Sequence, residues 1–173
     1  MSALPEPGET LSAQAWQRVD VEIAKYPPHE KRSAVVAALA IAQEEVGWLP
    51  GWAIESVAHY LGIPPIAAYE VATFYSMYDL QPVGRFKLAL CTNLPCALSG
   101  ATRAAARLKE KLGIGFGETS SDGLFTLKEG ECFGACGVAP VLLINDKRMC
   151  SFMSDERLDQ LLHELREVGD RNQ

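Results

Sequence analysis

The sequence predicts an α+β protein, helical in its first half and mixed α/β in its second. Two observations carry this. From Ser12 to about Tyr78 the apolar residues recur at helical spacing, whereas after Asp79 short apolar runs bounded by turn residues alternate with helical stretches. A third is length, because 173 residues can bury one respectable core or two small ones.

In the first half, Trp16, Val19, Ile23 and Tyr26 form one helical stripe, and Val35, Leu39, Ala42 and Val46 form the next. Four helices fit. Pro27-Pro28 separates the first two, Gly47 ends the second, Gly62 ends the third (Trp52 to Leu61), and Pro64-Pro65 opens the fourth. The short connections predict antiparallel packing. Gln81-Pro82-Val83-Gly84 reads as a linker, which divides the chain into a mobile start at 1–11, a helical domain at 12–80 and an α/β domain at 81–173.

In the second half, Arg85 to Cys91 reads as a strand running into a loop, followed by an Ala-rich helix from Ser99 to Leu112 with Ser99 as its cap. Leu124 to Lys128 and Pro140 to Asn145 read as strands, with a short strand at Lys147 to Phe152. The last helix runs from Asp155 to Val168 under a Ser154 cap, and Asp155 and Glu156 suit its positive end.

The balance of charge narrows the function classes. Twenty-two acidic residues against 16 basic ones, with Lys and Arg scattered rather than striped, argue against a nucleic-acid partner. The longest stretch without charge, Leu88 to Thr102, is too short and broken to span a bilayer, so no direct membrane insertion is expected. The opening MSALPEPGET has neither a basic nor an apolar leader segment, and the expected location is the cytoplasm. There, five cysteines point to metal or redox chemistry rather than disulfides.

Four of the five form two pairs. Cys91-Thr-Asn-Leu-Pro-Cys96 is a C-x4-C pair and Cys132-Phe-Gly-Ala-Cys136 a C-x3-C pair, each after a predicted strand. A two-iron, two-sulfide cluster takes four thiolates, two per iron, so two pairs match two irons. Gly134, Ala135 and Gly137 would let backbone N–H groups approach the sulfurs. Structural zinc bound by four thiolates uses similar spacings, and spacing alone leaves both metals open. A thioredoxin-type dithiol would need C-x-x-C, and a Rieske centre would need histidines near the loops, whereas His29, His59 and His163 are all remote. Cys150, within the apolar run Met149 to Met153, reads as a buried inert thiol.

No other constellation carries chemistry. Gly113-Ile-Gly115-Phe-Gly117-Glu118 follows a helix and lacks dinucleotide-binding spacing, so it reads as a loop. The aromatic residues Tyr69, Phe74, Tyr75 and Tyr78, with Met77, Trp48 and Trp52, divide between core and interface.

At the cysteines the sequence resembles the peripheral 2Fe-2S subunit of bacterial respiratory complex I, the NADH-quinone oxidoreductase. The family pattern runs here through Asp122, Phe125, Thr126, Cys132, Gly134, Cys136, Ala139 and Pro140, with Phe133 where Leu is usual. KRSAVVAALAIAQEEVGWLP, YEVATFYSMYDLQPVG and CTNLPC extend the resemblance over roughly Tyr26 to Leu165. The resemblance implies an N-terminal four-helix bundle followed by a thioredoxin-like α/β ferredoxin domain, with a cis bond at Ala139-Pro140. It further implies one 2Fe-2S cluster on Cys91, Cys96, Cys132 and Cys136, and a partner subunit that binds FMN and NADH within the peripheral arm of complex I. The chain would then carry single electrons to and from that flavin, with temporary storage of one electron as its role, and no complete active site of its own. Similar subunits serve NAD-reducing hydrogenases and NAD-linked formate dehydrogenases. A structural zinc module that docks a partner is the competing reading from another class.

Overall fold

Ser12 accepts the Ala15 N–H at its side chain and so caps α1, Ala13–Ile23, whose Ala15 and Val19 face the interior. A 3-10 turn at Lys31–Ala34 leads into α2, Val35–Val46, which ends at Gly47. Pro50 precedes α3, Gly51–Leu61, and Pro64 precedes α4, Pro65–Phe74. Pro65 stands at a position where its missing N–H costs no helical hydrogen bond. Four α-helices lie in the segments that spacing and punctuation mark out, but the first stops at Ile23, three residues short of Tyr26, which is exposed.

The computed structural model describes residues 10–171. Most of the expected mobile start therefore lies outside the described residues, while Leu11, assigned to that start, is buried in the helical core. The chain divides between Pro82 and Val83 into two compact units.

In the first unit α2 packs against α1, α3 and α4, and α3 also packs against α4. Val19, Ala38, Leu39, Leu49, Ile54, Val57 and Leu61 lie in its core. Alanines at 34, 38, 42, 58 and 68 are fully buried and let the helices approach closely. Tyr78 is buried as well and donates its O–H to the Val36 carbonyl; loss of solvent around its phenolic oxygen pushes its pKa up to about 12.

The second unit is built on a four-stranded sheet of β1 (Phe86–Cys91), β2 (Phe125–Gly130), β3 (Leu142–Ile144) and β4 (Arg148–Cys150), in the order β2-β1-β3-β4. Every residue of β1 is buried, as expected of a central strand covered on both faces. β1 runs parallel to β2, with Phe86 opposite Phe125 and Cys91 opposite Gly130, while β3 is antiparallel to both β1 and β4. Gly84 fixes this register: its N–H reaches the Thr126 hydroxyl at 2.6 Å, and a β-carbon there would sit 2.8 Å from the Phe125 backbone. Beyond Ile144, Asn145 continues the ladder with its side chain, accepting the Lys87 N–H at 2.7 Å and donating to the Arg85 carbonyl at 3.1 Å. α6 (Thr102–Leu112) and α7 (Asp155–Asp170) contribute Ala104, Leu108, Leu158, Leu162 and Leu165 to the core of this unit. Ser154 caps α7 as predicted, and the Ala139-Pro140 bond is cis.

Several boundaries differ from expectation, among them the short strand expected at Lys147 to Phe152, which covers only Arg148–Cys150, and the last helix, which runs on to Asp170. Ser99 does not cap a helix: the chain turns helical already at α5, Leu94–Cys96, and passes through a wide turn at Ala97–Ala101 before α6. Ser99 instead donates its hydroxyl to the Pro95 carbonyl, and Gly100 makes the break with φ of 101°, a conformation glycine adopts without steric cost. β2 extends two residues past Lys128 to Gly130, and the strand after Pro140 begins only at Leu142.

Candidate metal centre

Because β1 and β2 are parallel and in register, the chain leaves both at the same edge of the sheet, and each exit carries a cysteine pair. Cys91 is the last residue of β1, and its N–H still bonds the Val141 carbonyl at 3.0 Å. Thr92 continues the pairing to the Gly130 carbonyl and ties its hydroxyl to Glu129 on β2 at 2.8 Å. Cys96 closes the α5 turn. From β2 the chain passes Glu131 to Cys132, turns at Gly134 with φ of 68°, and reaches Cys136 at the start of a 3-10 turn, Cys136–Val138.

The two pairs differ in their surroundings. Cys91 and Cys96 are 3% and 2% exposed and form a small apolar cluster with Ala101, against which Phe133 and Ala139 pack. Cys132 and Cys136 are exposed. The Cys91 thiol donates to the Glu131 carbonyl at 3.5 Å, linking the first pair to the second loop, and the Gly134 N–H donates to the Cys132 sulfur at 3.4 Å. Burial pushes the Cys96 thiol upward in pKa, reinforced by the neighbouring Cys91 thiol and by the charge of Cys136, while the Val141 backbone pulls it down. Cys96 thus stands within electrostatic reach of both Cys91 and Cys136.

All five cysteines are free thiols. Among the described residues no three His, Cys, Asp or Glu side chains close on a single metal ion. The donor set is two thiol pairs on adjoining loops, one pair buried and one open, with a backbone N–H on one sulfur. That chemistry fits a binuclear iron-sulfur group, two thiolates to each iron.

The fifth cysteine packs elsewhere. Cys150 lies on β4 against the main core of the unit, and burial raises its pKa. All three histidines are exposed. Gly113–Glu118 is a loop whose Gly115 N–H is taken by the Glu118 carboxylate at 2.6 Å. Of the aromatic residues, Tyr78 is core, Tyr69 and Trp52 pack partly buried against the core together with Met77, and Phe74 and Tyr75 are exposed. Sequence reasoning missed the role of Phe133, whose ring lies over Gly130; nothing in the spacing signals that contact.

Residues 19–166 match the family described as thioredoxin-like [2Fe-2S] ferredoxin. The chain belongs to that family. This thioredoxin-like ferredoxin is 48% identical over 143 residues to the NADH-quinone oxidoreductase E-subunit of Rickettsia felis, covering 82% of this chain and 85% of that one. It is 43% identical over 150 residues to E-subunit 2 of the same enzyme from Rhizobium meliloti, covering 87% and 88%. With subunit 2 of the Thermus thermophilus enzyme it shares 41% identity over 143 residues, covering 83% and 79%. Its fold also resembles a solved NAD+-reducing [NiFe]-hydrogenase in the air-oxidised state, at a TM-score of 0.68 and 22% identity. That match covers 78% of this chain and 23% of the hydrogenase chain, and at this identity it speaks to fold alone. Family membership makes a 2Fe-2S cluster the ferredoxin's cofactor. Among the described residues no helix is long and apolar enough to cross a membrane.

Proposed function

We propose that this chain is the one-electron carrier subunit of an NADH-quinone oxidoreductase, holding its 2Fe-2S cluster on Cys91, Cys96, Cys132 and Cys136. The observation that carries the reading is the parallel, in-register pairing of β1 and β2, which delivers both cysteine pairs to one sheet edge. The partner is the subunit that binds FMN and NADH, with other peripheral-arm subunits around it, and the location is the cytoplasmic face of the membrane through the complex. Identity of 41% to 48% with three quinone-oxidoreductase subunits supports that assembly over a hydrogenase or a formate dehydrogenase. We read the four N-terminal helices as a bundle and the second unit as the thioredoxin-like ferredoxin domain.

When bound, the cluster supplies a couple that changes by a single electron, the step a hydride donor cannot make alone. The chain contributes position and environment. The end of β1 fixes Cys91, the α5 turn fixes Cys96, and burial around both excludes water. Cys132 and Cys136 lie open to solvent, and the Gly134 N–H on Cys132 offsets thiolate charge there. Glu129 and Glu131, next to the second pair in sequence, would lower the potential of a bound cluster by their negative charge.

The test is an absorption and electron paramagnetic resonance spectrum of anaerobically purified protein, oxidised and dithionite-reduced, with iron, sulfide and zinc analysis. A reddish-brown protein with about two irons per chain and a signal only after reduction supports the carrier. Stoichiometric zinc and a colourless protein, even after iron-sulfide reconstitution, would leave a structural zinc module.

A further inference from the structure

Phe133 occupies the position between two of the proposed ligands, yet its side chain turns inward. Its ring packs against the buried cluster of Cys91, Cys96 and Ala101 and is itself only half-buried, so one part of it meets the cluster and another meets solvent. The ring also fills the space above Gly130: the three nearest atoms to a β-carbon built at Gly130 are all ring carbons of Phe133. Gly130 is the residue opposite Cys91 in the β1–β2 register. One side chain therefore connects the second ligand loop to the strand ends and to the first cysteine pair.

We propose that Phe133 is a positioning residue for the metal centre, which seals Cys91 and Cys96 from water and anchors the Cys132–Cys136 loop by seating its ring on Gly130. This rests on the cluster reading given above. Because reduction adds negative charge, admitting water to the buried half favours the reduced form and raises the potential. The absence of a side chain at residue 130 is the complement of the ring at residue 133.

The experiment uses the full-length, cluster-loaded protein as wild type, Phe133→Leu, Phe133→Ala, Gly130→Ala and the Gly130→Ala/Phe133→Ala double variant. Two quantities are read: the rate of iron release to a ferrous chelator, and the midpoint potential from a redox titration followed by electron paramagnetic resonance. Phe133→Ala is expected to release iron about tenfold faster, the size of effect that groups supporting metal ligands commonly show. Its midpoint is expected to rise by up to about tenfold in the redox equilibrium, ~59 mV for one electron. Leu should restore most of both, and Gly130→Ala should move both in the direction of Phe133→Ala by displacing the ring. The double variant should be no worse than Phe133→Ala, since no ring is left for the new methyl to strike. Unchanged release and potential in Phe133→Ala, or strictly additive effects in the double variant, would overturn the proposal while leaving the cluster reading intact. If Phe133→Ala holds no cluster at all, Leu decides: wild-type behaviour in Leu supports the seal, and equal failure in Leu overturns it. A wild-type chain that binds no iron would overturn the cluster reading and this proposal together.

Discussion

The first cysteine loop keeps Cys91 and Cys96 buried, at the end of a wholly buried strand and within a helical turn. The second presents Cys132 and Cys136 to solvent on a glycine-containing turn. Four identical side chains are thus held in two ways. Those of the first loop take their positions from the end of a buried strand and from a helical turn, whereas those of the second sit on an exposed turn tied down through Phe133. An unpaired thiolate in the buried pair would also be costly, which is the direction of the upward shift at Cys96.

The largest expected effect breaks this comparison at its centre. Cys96→Ser should lower cluster content about tenfold or more, because a serine oxygen reaches less far and the α5 turn holds its backbone in place. Cys132→Ser should keep a measurable fraction of the iron, with an altered reduced-state signal, because its exposed turn is held less tightly than the α5 turn. Iron and sulfide analysis of the two proteins side by side checks both; equal retention would mean that the loops are equally fixed.

Next in size is the register the two loops share. Gly84→Ala drives a methyl into the Phe125 backbone and should destabilise the second unit by about 1–3 kcal/mol, the usual range for overpacking. Both cysteine pairs should then suffer together, seen as a lower thermal midpoint accompanied by loss of iron. A smaller effect acts through the turn that feeds β2. The Asp122 carboxylate accepts the Ser120 hydroxyl and the Leu124 N–H, and these bonds, the hydroxyl first, hold its pKa below the ordinary value. A depressed carboxylate contributes stability that is present above its unfolded pKa of about 3.9 and is lost as pH falls through the lower folded value. Asp122→Asn should remove that acid limb from the stability-pH curve, by less than about 1 kcal/mol given its exposure. Chemical denaturation between neutral and strongly acid pH reads it out. Smallest of all, Cys150→Ser should leave iron content unchanged, since Cys150 packs against the other core; a lost cluster would require redrawing the ligand set.

Much of this was legible in the sequence, for reasons specific to each element. Pro64-Pro65, Gly47, Gly62 and Ser154 mark helix ends by local chemistry, ring, glycine φ or side-chain cap, and the structure uses each of them. Ser99 misled because a serine before an Ala-rich run looks like a cap. The helical path already begins at Leu94, so no free helix start exists there to be capped. The paired spacing singled out the four cysteines as candidates, but not which pair would be buried, because β1 is buried throughout and, Lys87 apart, apolar, so no alternation assigns its faces. The contact between Phe133 and Gly130 depends on how the chain folds back after β2, which spacing does not encode.

Asn145 shows how little backbone the sheet needs at its far end. Its carboxamide offers one acceptor and one donor, the two functions of a peptide group, and so stands in for one more residue of β3 opposite Arg85 and Lys87. Aspartate at that position would supply the acceptor without the donor, and leucine neither. The position therefore selects for an amide rather than for polarity, and a short strand gains a further rung without a longer chain.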